Sequence, residues 1–266
     1  MAHVNRLHNA RVLVFGGTSG IGFGVANLCI SAGAHVIISG SKQPKVDAKV
    51  QELKSFYPSL PSEQEVQGFA ADLGDTSNLE ANIKSVFEKA TQGGKKKLDH
   101  VVNSAGDVFK LPTLENVSAE TALSGFNMRW LSGVFIGKLV AGGTYMHVSD
   151  SSSVTLTSGT NSDKPGVGFF VGASMGSAIE SLGRSLAVEL KPIRANVVSP
   201  GAVQTPLLDA VFSQAGDKMK EEYKTKGSLL GTFGTPYDTA EAYGWLMKDH
   251  FVTGIIAKTD GGRMLV

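Results

Sequence analysis

At 266 residues and a formal net charge of +1, the chain is long enough for one large α/β domain and carries no charge excess that would attract nucleic acid. Hydrophobic residues make up 42% and charged residues 18%, which excludes a disordered chain. A single cysteine, Cys29, excludes an internal disulfide framework and fits a reducing compartment.

The first β-branched run, over 12–15, leads into GGTSGIG at 16–22 and a helical stretch near 20–32. Gly16, Gly20 and Gly22 have the spacing that lets a backbone turn tightly and approach a pyrophosphate at a helix N-terminus. Thr18, Ser19 and Ile21 complete this expected cofactor loop. A second strand over 35–39 ends before Ser41 and Lys42, and no acid appears until Asp47. An acid about 20 residues past the loop would bind the ribose hydroxyls of NAD; hydroxyl and ammonium donors suit a 2′-phosphate instead, so NADPH/NADP+ is expected.

Further strands are predicted over 65–71, 98–103, 144–149, 195–199 and 255–258. Helices are predicted near 43–57, 77–91, 118–140, 172–190 and 238–248. The alternation predicts a doubly wound parallel sheet of Rossmann type in a single domain, 1–266. Two stretches break it, the Ser/Thr-rich 150–167 and the Gly/Pro-scattered 200–236, and these are the predicted substrate loops. Lys95-Lys96-Lys97 reads as a solvated loop, and His147, alternating within the predicted fifth strand, as a core histidine. With no apolar run of about 18 residues and no basic, apolar leader, neither a membrane span nor secretion is expected, and the location is expected to be cytoplasmic. No cluster suggests a metal.

Over almost its whole length the chain resembles the short-chain dehydrogenase/reductase family. The resemblance is carried by GGTSGIG, by Asp72-Leu73, by Asn103-Ser104-Ala105-Gly106, and by Arg194-Ala195-Asn196-Val197-Val198-Ser199-Pro200-Gly201 with Val203 and Thr205. It continues to Thr253-Gly254 and Asp260-Gly261-Gly262. Phe15 departs from it, standing where the family has threonine. The resemblance implies that Asp72 contacts adenine and that 103–106, with Asn103, Ala105 and Gly106, line the cofactor ribose. It also implies that 200–205, with Pro200, Gly201, Val203 and Thr205, hold the nicotinamide, and that the protein is a homo-oligomer.

The family's reactive set is Asn, Ser, Tyr and Lys: tyrosine donates a proton to a carbonyl oxygen, and lysine lowers its pKa. Counting from Ser185-Leu186-Ala187 places the tyrosine on Gly172 and the lysine on Gly176. The asparagine falls on Trp130, and the serine on Asp150 or, with a slip, on 151–153. None of the five tyrosines has lysine four residues on. A ketone acquires an alkoxide that needs a proton, whereas an iminium ion becomes a neutral amine. The missing pair therefore points to C=N reduction in a widened pocket, with a bulky, cationic or polycyclic small-molecule substrate.

The charged and aromatic candidates near such a pocket are Asp163, Arg129, Trp130, Asp150 and Asp107. Short-chain proteins without the Tyr/Lys pair resemble fungal indole-alkaloid reductase/cyclases of Diels–Alderase or Pictet–Spenglerase type. That implies reduction of an iminium-type intermediate, stereoselective cyclisation, or both, with Asp163 and Arg129 handling charge or protons. Two other readings stand beside it: a non-catalytic NADP(H)-binding sensor or interaction protein, and an ordinary carbonyl reductase with a relocated acid.

Overall fold

The computed structural model describes residues 3–107, 112–123 and 125–266. Seven parallel strands form one sheet: β1 (Arg11–Phe15), β2 (His35–Gly40), β3 (Val66–Ala70), β4 (His100–Asn103), β5 (Ser153–Thr157), β6 (Arg194–Pro200) and β7 (Ile256–Thr259). Their order is β3-β2-β1-β4-β5-β6-β7. Strand β1 shows why both faces must be covered. Leu13 and Phe15 enter one core, while Val12 and Val14 enter the other. A strand buried on both sides reads as a continuous apolar run, as RVLVF does.

Helices α3 (Leu79–Thr91), α5 (Ser132–Ala141) and α6 (Phe170–Glu189) cover the first face. The second is covered by α1 (Gly20–Ser31), α2 (Gln43–Ser55) and α9 (Pro236–Lys248). The chain runs from β1 out to β3 and then returns beside β1 as β4. This reversal opens a crevice at the C-terminal strand ends, where doubly wound sheets bind ligands.

Four sequence expectations are corrected. The fifth strand is 153–157, not 144–149, where only Met146 makes an isolated bridge, to Leu98. The Ser/Thr-rich strand looked like a loop because its polar side chains suggested solvent. Several of its hydroxyls are instead bonded internally: Ser153 Oγ lies 2.9 Å from His100 Nδ1, and Thr157 Oγ1 donates to the Asn103 carbonyl at 2.8 Å. His147 is consequently exposed rather than a core residue.

The predicted helix over 118–140 is interrupted. It comprises α4 (Ala119–Leu123), a π-helical turn over Asn127–Leu131, and α5. The stretch 200–236 holds α7 (Pro206–Ala215) and α8 (Asp217–Lys226). Thr205 starts α7 by accepting from Leu208 N at 3.2 Å, with Pro206 at the first helical position.

Candidate active site

A cleft of about 480 Å³ opens at the C-terminal ends of the strands. At one end stands the β1–α1 turn. Gly16 has φ +78°, and a Cβ there would fall 2.6 Å from Ala105 N, so this turn closes on the 103–106 turn only with glycine. Gly22 lies outside the cleft wall and lets α1 approach, since its Cβ would meet the Gly16 carbonyl oxygen at 2.4 Å. Ser19 caps α1 without a side-chain hydrogen bond, and the first turn holds no acid. The helix N-terminus is left open to an anion.

Gly16, Thr18, Ser19, Gly20 and Ile21 line this end, with Ser41 and Leu73 beside them. Ser39 also lines it, buried, and its Oγ has no partner among the described residues. An orphaned hydroxyl, a glycine cradle and an open helix N-terminus together fit a dinucleotide. Lys42 is exposed and outside the cleft, whereas Lys45, one turn into α2, lines it. Sequence reasoning stopped one turn early; that the first turn of a helix at a strand end faces the crevice is the signal that would have found Lys45.

Asp72 is exposed and folds back to accept from Gly74 N at 2.9 Å; its neighbours Ala71 and Leu73 line the cleft, and Asp72 itself does not. Asn103 is buried; its Nδ2 donates to Ser132 Oγ at 2.8 Å, and its Oδ1 accepts from Ala105 N at 3.3 Å. It braces the turn while Ala105 and Gly106 form the wall. Pro200, Gly201, Val203 and Thr205 line the opposite wall.

Beyond them, Gly172 and Gly176 face the cleft from α6. A Cβ at Gly176 would lie 3.3 Å from the Ser162 Cβ, so the 3-10 turn Thr160–Ser162 packs closely against the helix at this point. Phe169, Leu207, Leu208, Val211, Phe212 and Tyr223 close this end with apolar surface. Most of these come from α7 and α8, which the sequence reading left as loop. Tyr223 packs under the Arg263 guanidinium, 4.8 Å from its ring, and burial pushes its pKa up, making it a poor proton donor.

Arg129 lines the cleft from the π-helical turn, where such irregularities often serve function. Its Nη2 donates to the Asp107 carbonyl at 3.2 Å. Burial lowers its pKa, and the Asp107 charge opposes that shift. Asp107 also lines the cleft. Trp130 does not: it packs against the α3–α5–α6 core.

Asp163 is exposed on the segment between β5 and α6, two residues past cleft-lining Asn161, and pairs with Lys258 Nζ at 3.0 Å. Asp150 is corrected outright. Because β5 starts at Ser153, Asp150 stands at the entrance of that strand, the sheet edge opposite the cleft, and its carbonyl accepts from Arg194 Nε at 2.7 Å. The residue that leaves β5 into the cleft is Ser158. Among the described residues no group of His, Cys, Asp and Glu could hold a metal, and no helix is long and apolar enough to cross a membrane.

The crevice of a parallel seven-stranded sheet, a glycine turn, and the NSAG and PG turns facing it define a nicotinamide-dinucleotide oxidoreductase of Rossmann type. The chain belongs to the SDR-like Rossmann domain family, whose model matches residues 3–266. Without the Tyr/Lys pair it is an atypical oxidoreductase of that family. It is 36% identical to the short-chain dehydrogenase/reductase malC of Malbranchea aurantiaca, over 97% of this chain and 96% of that one. To ucsE of an Acremonium species it is 32% identical, over 98% and 97%.

Among solved structures it superposes on the MalC reductase/Diels–Alderase with a TM-score of 0.89, covering 98% of this chain and 99% of the other at 36% identity. A short-chain dehydrogenase from Burkholderia cenocepacia in complex with NADP shares the fold, with a TM-score of 0.79 at 22% identity over 97% and 99%.

Proposed function

We propose that this protein is an NADP(H)-dependent enzyme of alkaloid biosynthesis that reduces a cyclic iminium-type intermediate and guides its stereoselective cyclisation, of Diels–Alder or Pictet–Spengler type. The observation that carries the proposal is the pair Gly172 and Gly176, both facing the cleft where the family keeps its proton donor and the lysine that tunes it. When bound, the reduced dinucleotide supplies a hydride. An iminium carbon that accepts it leaves a neutral amine, so this chain has no oxygen anion to protonate.

The MalC protein, named a reductase/Diels–Alderase, supports the coupling to cyclisation. So does the apolar end formed by Leu207, Leu208, Val211 and Phe212, which would hold a polycyclic substrate in one reactive conformer. Arg129, a cation of the cleft wall, is the proposed group to orient a substrate carbonyl. Asp163 is the proposed carboxylate for proton handling, reached by exchange of its Lys258 partner at the rim. Ser41 and Lys45 support preference for the 2′-phosphate of NADPH. A non-catalytic sensor would need only the adenylate end, and the developed 200–205 wall favours the enzyme.

The test uses 4-deuterated NADPH. Cyclic iminium salts should be reduced with deuterium in the amine product, while simple ketones should show no turnover. The double variant Gly172→Tyr with Gly176→Lys should crowd the cleft and lower iminium turnover. Ketone reduction by the native protein would sink the proposal.

A further inference from the structure

One buried acid near the cleft plays no part in the proposal above. Glu180 lies on α6, one turn beyond Gly176, and is 6% exposed. Ser158 Oγ donates to its Oε1 at 2.9 Å. Ser162 Oγ approaches the same oxygen at 2.6 Å and the Gly159 carbonyl at 2.9 Å. A buried carboxyl group costs free energy unless such donors hold it.

Ser158 is also part of the cleft wall, just past the end of β5 and beside Gly159, in the same cleft that Gly172 and Gly176 line. A hydroxyl has one proton to give. With that proton on Glu180, the Ser158 oxygen offers only lone pairs to the cleft. A neutral carbonyl, itself an acceptor, finds no donor there. A cation or an N–H donor finds an acceptor backed by a negative charge in a region of low dielectric.

We propose that Glu180, acting through Ser158, makes this part of the cleft selective for positively charged substrates. Glu180 is thus a positioning residue that fixes the direction of the serine hydroxyl and supplies the field behind it. This rests on the iminium reading, and it names the group that recognises the charge. The turn Thr160–Ser162 packs against Gly176 and brings Ser162 to the same carboxylate, so a side chain at 176 would press on the turn that holds Glu180. A lysine there would reach toward Glu180 and neutralise it.

The test is a binding comparison on protein loaded with a redox-inert tetrahydronicotinamide analogue of NADPH. The probes are N-methyl-3,4-dihydroisoquinolinium and the uncharged hydrocarbon of the same ring skeleton. Glu180→Gln, nearly isosteric, should lower the ratio of cation to hydrocarbon affinity at least about tenfold while leaving analogue affinity unchanged. Ser158→Ala should shift the ratio in the same direction. A change of less than about threefold in Glu180→Gln that still binds the analogue overturns the inference. If Glu180→Gln no longer binds the analogue, Ser158→Ala decides by the same criterion. Deuterium incorporation by the native enzyme judges the iminium reading separately, so either can fail without the other.

Discussion

A Cβ on Gly106 would lie 2.2 Å from Nη2 of Arg129, so the guanidinium occupies the space that a side chain at 106 would need. The π-helical turn delivers the arginine to this point and the 103–106 turn must yield to it. Gly106→Ala should therefore displace the guanidinium end of Arg129 from its place on the cleft wall, at small cost in stability because the clash is with the far end of a flexible side chain. Turnover of the iminium substrate should fall with it. In an Arg129→Ala background the space is free, and Gly106→Ala should then add almost nothing. Additive losses in stability or rate across this double-mutant cycle would show that the two residues do not share the space.

The adenylate end makes a prediction that separates two lysines. Ser41 and Lys45 line the cleft, while Lys42 does not. NADPH should bind more than about tenfold tighter than NADH, a difference above about 1.4 kcal/mol. Lys45→Ala should reduce that ratio by weakening NADPH alone, and Lys42→Ala should leave it nearly unchanged. Fluorescence titration of both dinucleotides against the three proteins is sufficient. A larger effect at Lys42 would return the contact to the N-cap of α2.

The glycine turn at one end of the cleft was legible in the sequence because its determinants are local. A β run, glycines at fixed spacing and an apolar helix lie in one stretch of about 20 residues, the unit that motif reasoning handles. Gly172 and Gly176 were also placed by counting within one helix, and both face the cleft. The failures have non-local causes. Strand β5 is Ser/Thr-rich, and its burial depends on partners such as His100 and Asn103 in β4, which no local pattern reveals.

Moving β5 from 144–149 to 153–157 transferred Asp150 from the supposed ligand edge to the opposite one. It also shortened the supposed loop before α6, and brought Ser158 to the cleft. The π-helical turn was equally hidden, since its residues carry no proline or glycine to mark a break. Helices α7 and α8 were obscured by scattered glycines that turn out to lie outside them, with only Gly216, at φ +87°, between the two.

Acid should destabilise the folded chain through a specific histidine. His100 is buried at the start of β4, and burial, reinforced by the Arg194 charge, lowers its pKa from 6.5 to about 3. Between these values the unfolded chain binds a proton that the folded chain refuses. Stability conferred by this group is therefore fully present above 6.5 and declines as pH falls toward about 3. The loss is about 1.4 kcal/mol per pH unit, or roughly 2 kcal/mol by pH 5. His35 and His250 are shifted in the same direction and add to the slope. Urea midpoints between pH 7 and 5 should fall in the native protein and fall less steeply in His100→Asn. Equal slopes would mean that His100 titrates normally in the fold.

The last prediction concerns Asp163, whose carboxylate sits 3.0 Å from Lys258 Nζ with both side chains well exposed. An exposed pair of this kind contributes about 0–1 kcal/mol, so neither partner should matter much to stability. Chemistry can distinguish them. If Asp163 handles protons for the substrate, Asp163→Asn should lower turnover or product selectivity by about 10² or more. The melting temperature and NADPH affinity should stay close to native. Lys258→Met breaks the same ion pair yet frees the carboxylate to enter the cleft, so turnover should be preserved or raised. A purely structural pair would give both variants the same small effect. Arg129→Ala combined with Asp163→Asn should cost less than the sum of the singles if the two groups serve one step. Matching, near-native rates in Asp163→Asn and Lys258→Met would remove Asp163 from the mechanism and leave Asp107, which lines the cleft and whose backbone carbonyl accepts from Arg129, as the group to test next.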